Sequence, residues 1–335
     1  MRWPSKSTPS DDILAIAYDG ESFCHLRATR RAGAAPRLGA CGIEQRGDDP
    51  LPEFARRLRA LALPSQEVIA VLPLAHCQLL QIPTPPVPPE EMKAAARWGI
   101  KDLVDVPLDE LTLDVMQVGD GRARAQRHSF VAAAYSHAIA TLGRLCQLSG
   151  LSLRIVDICE SAQRNLQCAL AHAQGHPERA TALLVRHGAH CVLTISANDE
   201  LFHARRLAWS DELLEHADAH LLSRPLAWDD SQRPAPADDS HGSPAGGDET
   251  PALLVELQRS FDAWEHAWPE LPLERVVVDA GVHSHSLASL IGRQLGRRVD
   301  TFELAPVLGA APTRPLPGPF LPLVGALLRG DVRLP

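Results

Sequence analysis

Two stretches far apart in this chain begin in the same way, and that repetition limits the folds open to it. Ile13–Tyr18 (ILAIAY) reads as a buried strand, Asp19-Gly20 as a turn, and Ser22–Thr29 as the returning hairpin strand. Near the middle, Ala182–Arg186 is again an apolar strand, His187-Gly188 a turn, and Cys191–Ser196 the return, with a third strand at Leu201–Leu207. Each half later runs helix, strand, helix. Set side by side, Tyr18-Asp19-Gly20 falls on Arg186-His187-Gly188. At 335 residues, 45% of them hydrophobic, the chain is long enough for two such α/β halves, each with its own core.

Between the repeated openings the periodicity is clear. Glu53–Leu63 has helical spacing ended by Pro64, and Val68–Leu72 and Gln78–Ile82 are short strands. The segment Pro83–Val118 follows: a proline-rich lead-in, a helix predicted over Glu90–Val104, a Pro-broken turn and a strand over Leu111–Val118. Strand His128–Ala134, helix Tyr135–Leu148, strand Leu153–Asp157 and helix Cys159–Ala173 complete the first half. In the second, Asp211–Leu222 and Pro251–Trp268 read as helices, Arg275–Asp279 as a buried strand, and His283–Leu295 as a helix. Val299–Phe302 is the last strand and Phe320–Leu328 a terminal helix. The expected organisation is a flexible N-terminus (1–11), a first lobe (12–180) with an inserted subdomain at about 66–150, and a second lobe (181–335). Residues 224–250, rich in Pro, Asp, Ser and Gly with little to bury, are expected to be a disordered loop of that second lobe.

Charge and motif content exclude several function classes. The formal net charge is -8 and no basic stripe is visible, so nucleic acid is not an expected partner. Seven cysteines, without a CxxC pair, fit reduced buried thiols rather than disulfides or a zinc site. There is no GxSxG turn, no GxxxxGK[ST] loop and no GxGxxG fingerprint. Histidines at ligand-like spacing, His283/His285 and His172/His176, lack a carboxylate or thiol to complete a metal set and read as surface residues. Neither a signal peptide nor a run of ~20 apolar residues is seen, and a soluble cytoplasmic protein is expected.

In the helix of Pro83–Val118, Met92, Ala95, Ala96, Gly99, Ile100 and Leu103 fall on one face and are predicted to be buried. Trp98 lies off that stripe beside Arg97. These two are the candidate partner contacts, since tryptophan is enriched at binding hot spots; the alternative is that Trp98 packs under a neighbouring loop. The prolines Pro83, Pro85, Pro86, Pro88 and Pro89 read as a stiff spacer rather than a ligand for a proline-reading domain.

Duplicated βββαβα halves resemble the actin-like ATPase fold, two ribonuclease H-like units that clamp a nucleotide with a hairpin turn from each. More specifically, Val71–Val118, Ser152–Leu166 (SLRIVDICESAQRNL) and Phe320–Arg329 (FLPLVGALLR) resemble the PilM family of type IV pilus assembly proteins, and within it the MSHA-pilus branch called MshI. The resemblance implies a cytoplasmic, actin-like protein, peripheral to the inner membrane. Such a protein grips the cytoplasmic tail of a PilN-like inner-membrane protein and links it to the motor ATPase of the pilus platform. It also implies ATP with Mg²⁺ as the cofactor of family members that bind nucleotide.

The residues at the implied nucleotide positions depart from the pattern. Where ATP-binding relatives carry the Asp of an Asp-x-Gly turn, this chain has Tyr18 and Arg186; the glycines are kept as Gly20 and Gly188. Asp19 stands between Tyr18 and Gly20, and a third candidate loop, VDAGVH, offers Ala280 and Gly281. Both turns also read as ordinary hairpin glycines. The leading expectation is therefore a non-catalytic scaffold. An ATP-binding or weakly hydrolysing enzyme is the alternative, with Asp19, Asp157 and Asp279 as its strand-end carboxylates, and an FtsA-like polymerising protein the third.

Overall fold

The computed structural model describes residues 12–30, 35–63, 67–119, 127–209, 251–309, 316 and 318–329. The N-terminal stretch 1–11, the helix predicted over Asp211–Leu222 and the loop at 224–250 lie outside the described residues.

The first half is built on a five-stranded sheet of β1 (Asp12–Tyr18), β2 (Ser22–Thr29), β3 (Arg37–Gln45), β4 (Val68–Leu72) and β8 (Leu153–Ile158), in the order β3-β2-β1-β4-β8. The first three strands are antiparallel and the next two join in parallel, with Tyr18 opposite Phe23 and Ile16 opposite Ala70. The second half repeats the plan: β9 (Ala180–His187), β10 (His190–Ala197), β11 (Glu200–Ala208), β12 (Leu273–Asp279) and β13 (Val299–Thr301), in the order β11-β10-β9-β12-β13. The repetition read in the sequence is thus a repetition of topology.

Strand alternation sorts the core. In β1 and β4, Leu14, Ile16, Val68, Ala70 and Leu72 face α1 (Leu51–Ala60) and α3 (Ser136–Ser149), where Phe54, Leu58, Leu142 and Leu145 are buried. The alternate residues Ile13, Ala15, Ile69 and Val71 face a layer made by α4 (Cys159–Ala173) and the terminal helix α8 (Leu321–Leu327). Leu183, Val185 and Val277 of the second sheet reach the same layer from the other side. The outer face of that sheet carries α5 (Ala252–Ala267) and α6 (Ser284–Leu295), packed through Phe261, Trp264, Leu287 and Ile291. A short helix α7 (Leu304–Leu308) precedes α8. Each fully buried large side chain contributes roughly 1.5–3 kcal/mol, and the shared central layer is what joins the halves.

Placement of α8 goes beyond its place in the chain. Although it ends the second half of the sequence, it packs on α4, β1 and β4 of the first. The approach is close: a Cβ on Gly325 would stand 2.2 Å from the Ala162 carbonyl oxygen. Asn165 Nδ2 donates to Gly325 O at 3.0 Å, and Arg30 Nη2 donates to the carbonyls of Leu327 and Arg329 at 2.7 and 2.6 Å, closing the helix end.

The inserted element is a three-stranded antiparallel sheet, β5 (Cys77–Pro83), β7 (His128–Tyr135) and β6 (Leu111–Gln117) in that order, with α2 (Met92–Gly99) on one face. The strands β4 and helix α3 that flank it belong to the first half's own core. Ala96 and Ile100 pack on Ile82, Leu111, Val131 and Ala133. The other face, through Val118 and Phe130, meets Leu201 of the second half, and Gly119 N–H donates to Leu201 O at 2.8 Å.

Three expectations change. The helix predicted to Val104 ends at Gly99: Ile100 is its last buried anchor, and a tightened turn (Leu103 N–H to Ile100 O, 2.9 Å) follows, leading the chain to Pro107. Leu103, placed on the buried stripe, is consequently 51% exposed. Pro83, read as part of the spacer, closes β5 instead. Strand β3 had no sequence signal because Gly39 and Gly42 interrupt it and its edge position leaves most of it exposed.

Candidate functional site

Between the two halves lies a cleft of about 840 Å³. Five of the six residues singled out as nucleotide candidates line it: Asp19 from the first turn, Arg186 and Gly188 from the second, and Ala280 and Gly281 from the loop after β12. The sixth, Gly20, is in the same turn as Asp19. These residues come from three separate strand ends, and the duplicated topology is what brings them together.

Each turn is tied to itself. In the first, Asp19 Oδ1 accepts the N–H groups of Glu21 (2.9 Å) and Ser22 (2.7 Å), so the carboxylate occupies two backbone donors. Gly20 takes φ +107°, and its carbonyl accepts the Tyr18 hydroxyl at 2.8 Å. Tyr18 itself is 5% exposed and stacks on Phe54. The second turn repeats the device: Arg186 Nε donates to Gly188 O at 3.1 Å, and the guanidinium lies 4.3 Å above the Trp209 ring. Tyr18 and Arg186, at equivalent places in the two turns, therefore do the same job, holding the carbonyl two positions on. In the third loop, Asp279 Oδ1 accepts Gly281 N–H (3.0 Å) and Ser284 Oγ accepts Ala280 N–H (2.9 Å).

The other carboxylates at strand ends are engaged as well. Asp157, 4% exposed, pairs with Arg329 at 3.1 Å and accepts the Ile158 N–H at 2.9 Å. Glu160, 1% exposed at the start of α4, pairs with Arg206 of β11 at 2.8 Å. Arg206 also donates to the carbonyls of Leu74 and Cys77, each at 2.7 Å, so a second-half guanidinium is anchored to the first half by four directed bonds. Among the described residues, no three His, Cys, Asp or Glu side chains gather as a metal site would require.

The rest of the wall is mainly apolar. Val71, Leu72, Pro73, Leu74 and Ala75 come from the end of β4 and the turn after it, Pro319 from the approach to α8 and Pro322 from its first turn. Burial pushes the Cys77 thiol up to about 11, aided by the nearby Glu160 charge, and raises Cys159 and Cys24 too, so these thiols stay protonated and unreactive at neutral pH. Burial, reinforced by the Arg206 charge, lowers His187 to about 4, keeping its imidazole neutral. Its Nε2 is buried without a hydrogen-bond partner.

The two candidate partner residues separate. Trp98 is 70% exposed on α2. Arg97 is half-buried and its guanidinium donates to the carbonyls of Leu108 and Leu111, clamping the turn before β6. Of the histidines, His172 pairs with Asp199 at 2.8 Å. Sequence reasoning did not find Arg206, Glu160 or His187. A bridge between residues 46 apart leaves no local pattern, and only the duplicated turn next to His187 pointed to its neighbourhood.

No protein-family model matches this chain, and neither does any curated protein. Solved structures do. A chain of the PilM-PilN type IV pilus biogenesis complex superposes with a TM-score of 0.62 at 19% identity, covering 94% of this chain and 97% of its own length. The cytoplasmic domain of EpsL, an inner-membrane component of the type II secretion system of Vibrio cholerae, aligns at TM-score 0.42 and 11% identity over 64% of this chain and 79% of that one. A Bacteroides thetaiotaomicron protein with an actin-like ATPase fold aligns at 0.47 and 7% identity over 90% and 96%. Among the described residues no helix is long and apolar enough to cross a membrane. The two sheets of matching strand order and the end-to-end superposition lead to one structural conclusion: this chain is an α/β protein with the actin-like ATPase fold, as found in the PilM-PilN complex.

Proposed function

We propose that this chain is a PilM-type component of a type IV pilus biogenesis platform, a non-catalytic scaffold that holds the cytoplasmic tail of a PilN-like inner-membrane protein. The observation that carries the reading is the superposition over 94% of this chain and 97% of a chain from the PilM-PilN complex. The MSHA-type assignment rests on the sequence segments Val71–Val118, Ser152–Leu166 and Phe320–Arg329. Residence at the cytoplasmic face of the inner membrane follows from the partner, as does contact with the motor ATPase.

The site chemistry supports a scaffold over an ATPase. Magnesium chemistry on a nucleoside triphosphate needs open carboxylates for the metal and open backbone donors for the phosphates. Tyr18 and Arg186 stand at the two metal-organising positions. Asp19 and Asp279 are bonded to their own loops, and two backbone donors in each of the first and third turns are already paired. The residues present do not fit Mg·ATP, and we derive no reaction step through it. We propose that the tail docks beside α2, a reading supported by the exposure of Trp98 there.

Isothermal titration of the full chain with a synthetic peptide of a PilN-like cytoplasmic tail tests the docking. Saturable binding, weakened at least ~10-fold by Trp98→Ala, is expected, and no binding to the tail refutes the proposal. The ATPase alternative has a separate check: magnesium-dependent hydrolysis abolished by Asp19→Ala would establish it.

A further inference from the structure

We infer that the cleft between the halves is a preformed site for an uncharged, mainly apolar small molecule, and that it rejects nucleoside phosphates. This goes beyond the scaffold reading and does not depend on tail docking.

The first support is the fit of size and wall. Small-molecule pockets run roughly 300–1,000 Å³, largely apolar with a few placed polar groups; this one is about 840 Å³. One side is Val71, Leu72, Leu74 and Ala75, and Pro319 and Pro322 line it as well.

The second is the state of the charged groups that border it. Arg206 directs its guanidinium to Glu160 and to the Leu74 and Cys77 carbonyls. Arg186 holds Gly188 O and stacks on Trp209. Both line the cleft with guanidinium groups already engaged by protein partners, so an entering anion would compete with those contacts. Asp19 places a carboxylate on the first turn and takes up two of its N–H donors, so an incoming phosphate meets like charge where it needs donors. His187 also lines the cleft, and burial keeps its imidazole neutral, so this part of the wall adds no cationic charge.

The third is that the cleft has a built-in width. The Arg206–Glu160 bridge spans the halves at 2.8 Å and the insertion grips the second half through Gly119 N–H to Leu201 O, also 2.8 Å. A ligand need not drive closure to find its walls, so the affinity is not reduced by a conformational step.

The test uses the full-length protein and the uncharged dye Nile red, followed by fluorescence. Expected is 1:1 saturable binding that Mg·ATP and Mg·ADP, added at about 100-fold excess over the dye, do not displace, with no rise in melting temperature from either nucleotide. Ala75→Trp projects an indole from an exposed wall position into the cleft and is expected to weaken the dye at least ~10-fold with an unchanged melt. If that variant alters the melt, Ser22→Phe provides a second filling residue from the first turn. Failure of the dye to bind, displacement by either nucleotide, a nucleotide-induced rise in melting temperature, or dye affinity unaltered in the filled variants each overturns the inference. Tail-peptide titration on the same samples keeps the two proposals separate: loss of tail binding removes the scaffold reading and leaves this one intact, and the reverse holds for the dye.

Discussion

Replacing Arg206 with methionine should destabilise the protein more than most surface-adjacent substitutions, because its guanidinium neutralises a group that has no other partner. The Glu160 side chain is 2% exposed and that of Arg206 24%. Glu160 Oε1 receives both Nε (2.9 Å) and Nη2 (2.8 Å), while Oε2 has no hydrogen-bond partner. Arg206→Met keeps the aliphatic volume but leaves a buried carboxylate uncompensated, which costs about 3–5 kcal/mol. It also strips the donors from Leu74 O and Cys77 O; each buried acceptor left unsatisfied costs a further ~1–3 kcal/mol unless water reaches it. The orphaned carboxylate alone puts the loss at about 4 kcal/mol, already a large share of a typical domain's stability of about 5–15 kcal/mol. The double variant Glu160→Leu/Arg206→Met removes the orphaned charge and should recover at least about 2 kcal/mol of that loss, since an apolar pair in place of a buried ion pair is often neutral. Equilibrium urea unfolding followed by tryptophan fluorescence and circular dichroism reads both numbers. Because the bridge crosses the halves, the single variant should also broaden or split the transition. A single variant within about 1 kcal/mol of the parent, or a double variant no more stable than the single, would refute the reasoning that this bridge fastens the halves through charge compensation.

Other outcomes follow from the same packing and charge arrangement. Gly325→Ala should cost about 3 kcal/mol or more in urea unfolding, because the new methyl meets main-chain atoms of Ala162 at 2.2 and 2.7 Å, and Ala162→Gly should not rescue it. Acid should destabilise the protein between about pH 6.5 and 4. Burial holds His187 and His203 each at about 4, assisted by Arg206 and Arg205 respectively, so the unfolded chain binds protons there that the folded chain refuses. Their contribution is complete above the unfolded value of about 6.5, falls as pH drops, and is worth on the order of 3 kcal/mol per imidazole; His187→Gln and His203→Gln should each flatten the profile of stability against pH. Trp98→Ser should change stability by less than about 0.5 kcal/mol while removing a solvent-accessible component of acrylamide quenching, and a larger loss would mean the indole packs in the fold.

Much of the architecture was readable because it is carried by local patterns. Continuous apolar runs such as Val68–Leu72 mark strands buried on both faces, and that strand and helix Cys159–Ala173 have the boundaries read from sequence. The paired turns at Gly20 and Gly188 follow from turn chemistry; the angle of Trp98 took it off the apolar stripe but left open whether a neighbouring loop covers it, and the structure leaves it exposed. Where local signals conflicted, the reading failed: glycines hid β3, and a stripe extended to Leu103 ignored the approaching Pro107.

Sequence by itself therefore determined that this chain is built twice on one plan, which strands are buried, and that Tyr18 and Arg186 stand at equivalent places before the two turn glycines. Tertiary structure alone decided what those turns do. Tyr18 and Arg186 turn out to clasp the carbonyls of their own glycines, and Asp19 occupies the donors a phosphate would need. It alone brought α8 onto the first sheet and Arg206 to Glu160. The physical reason is range: turn and strand preferences act over a few residues, whereas the partner of a buried charge is chosen by whichever element the folded core sets beside it.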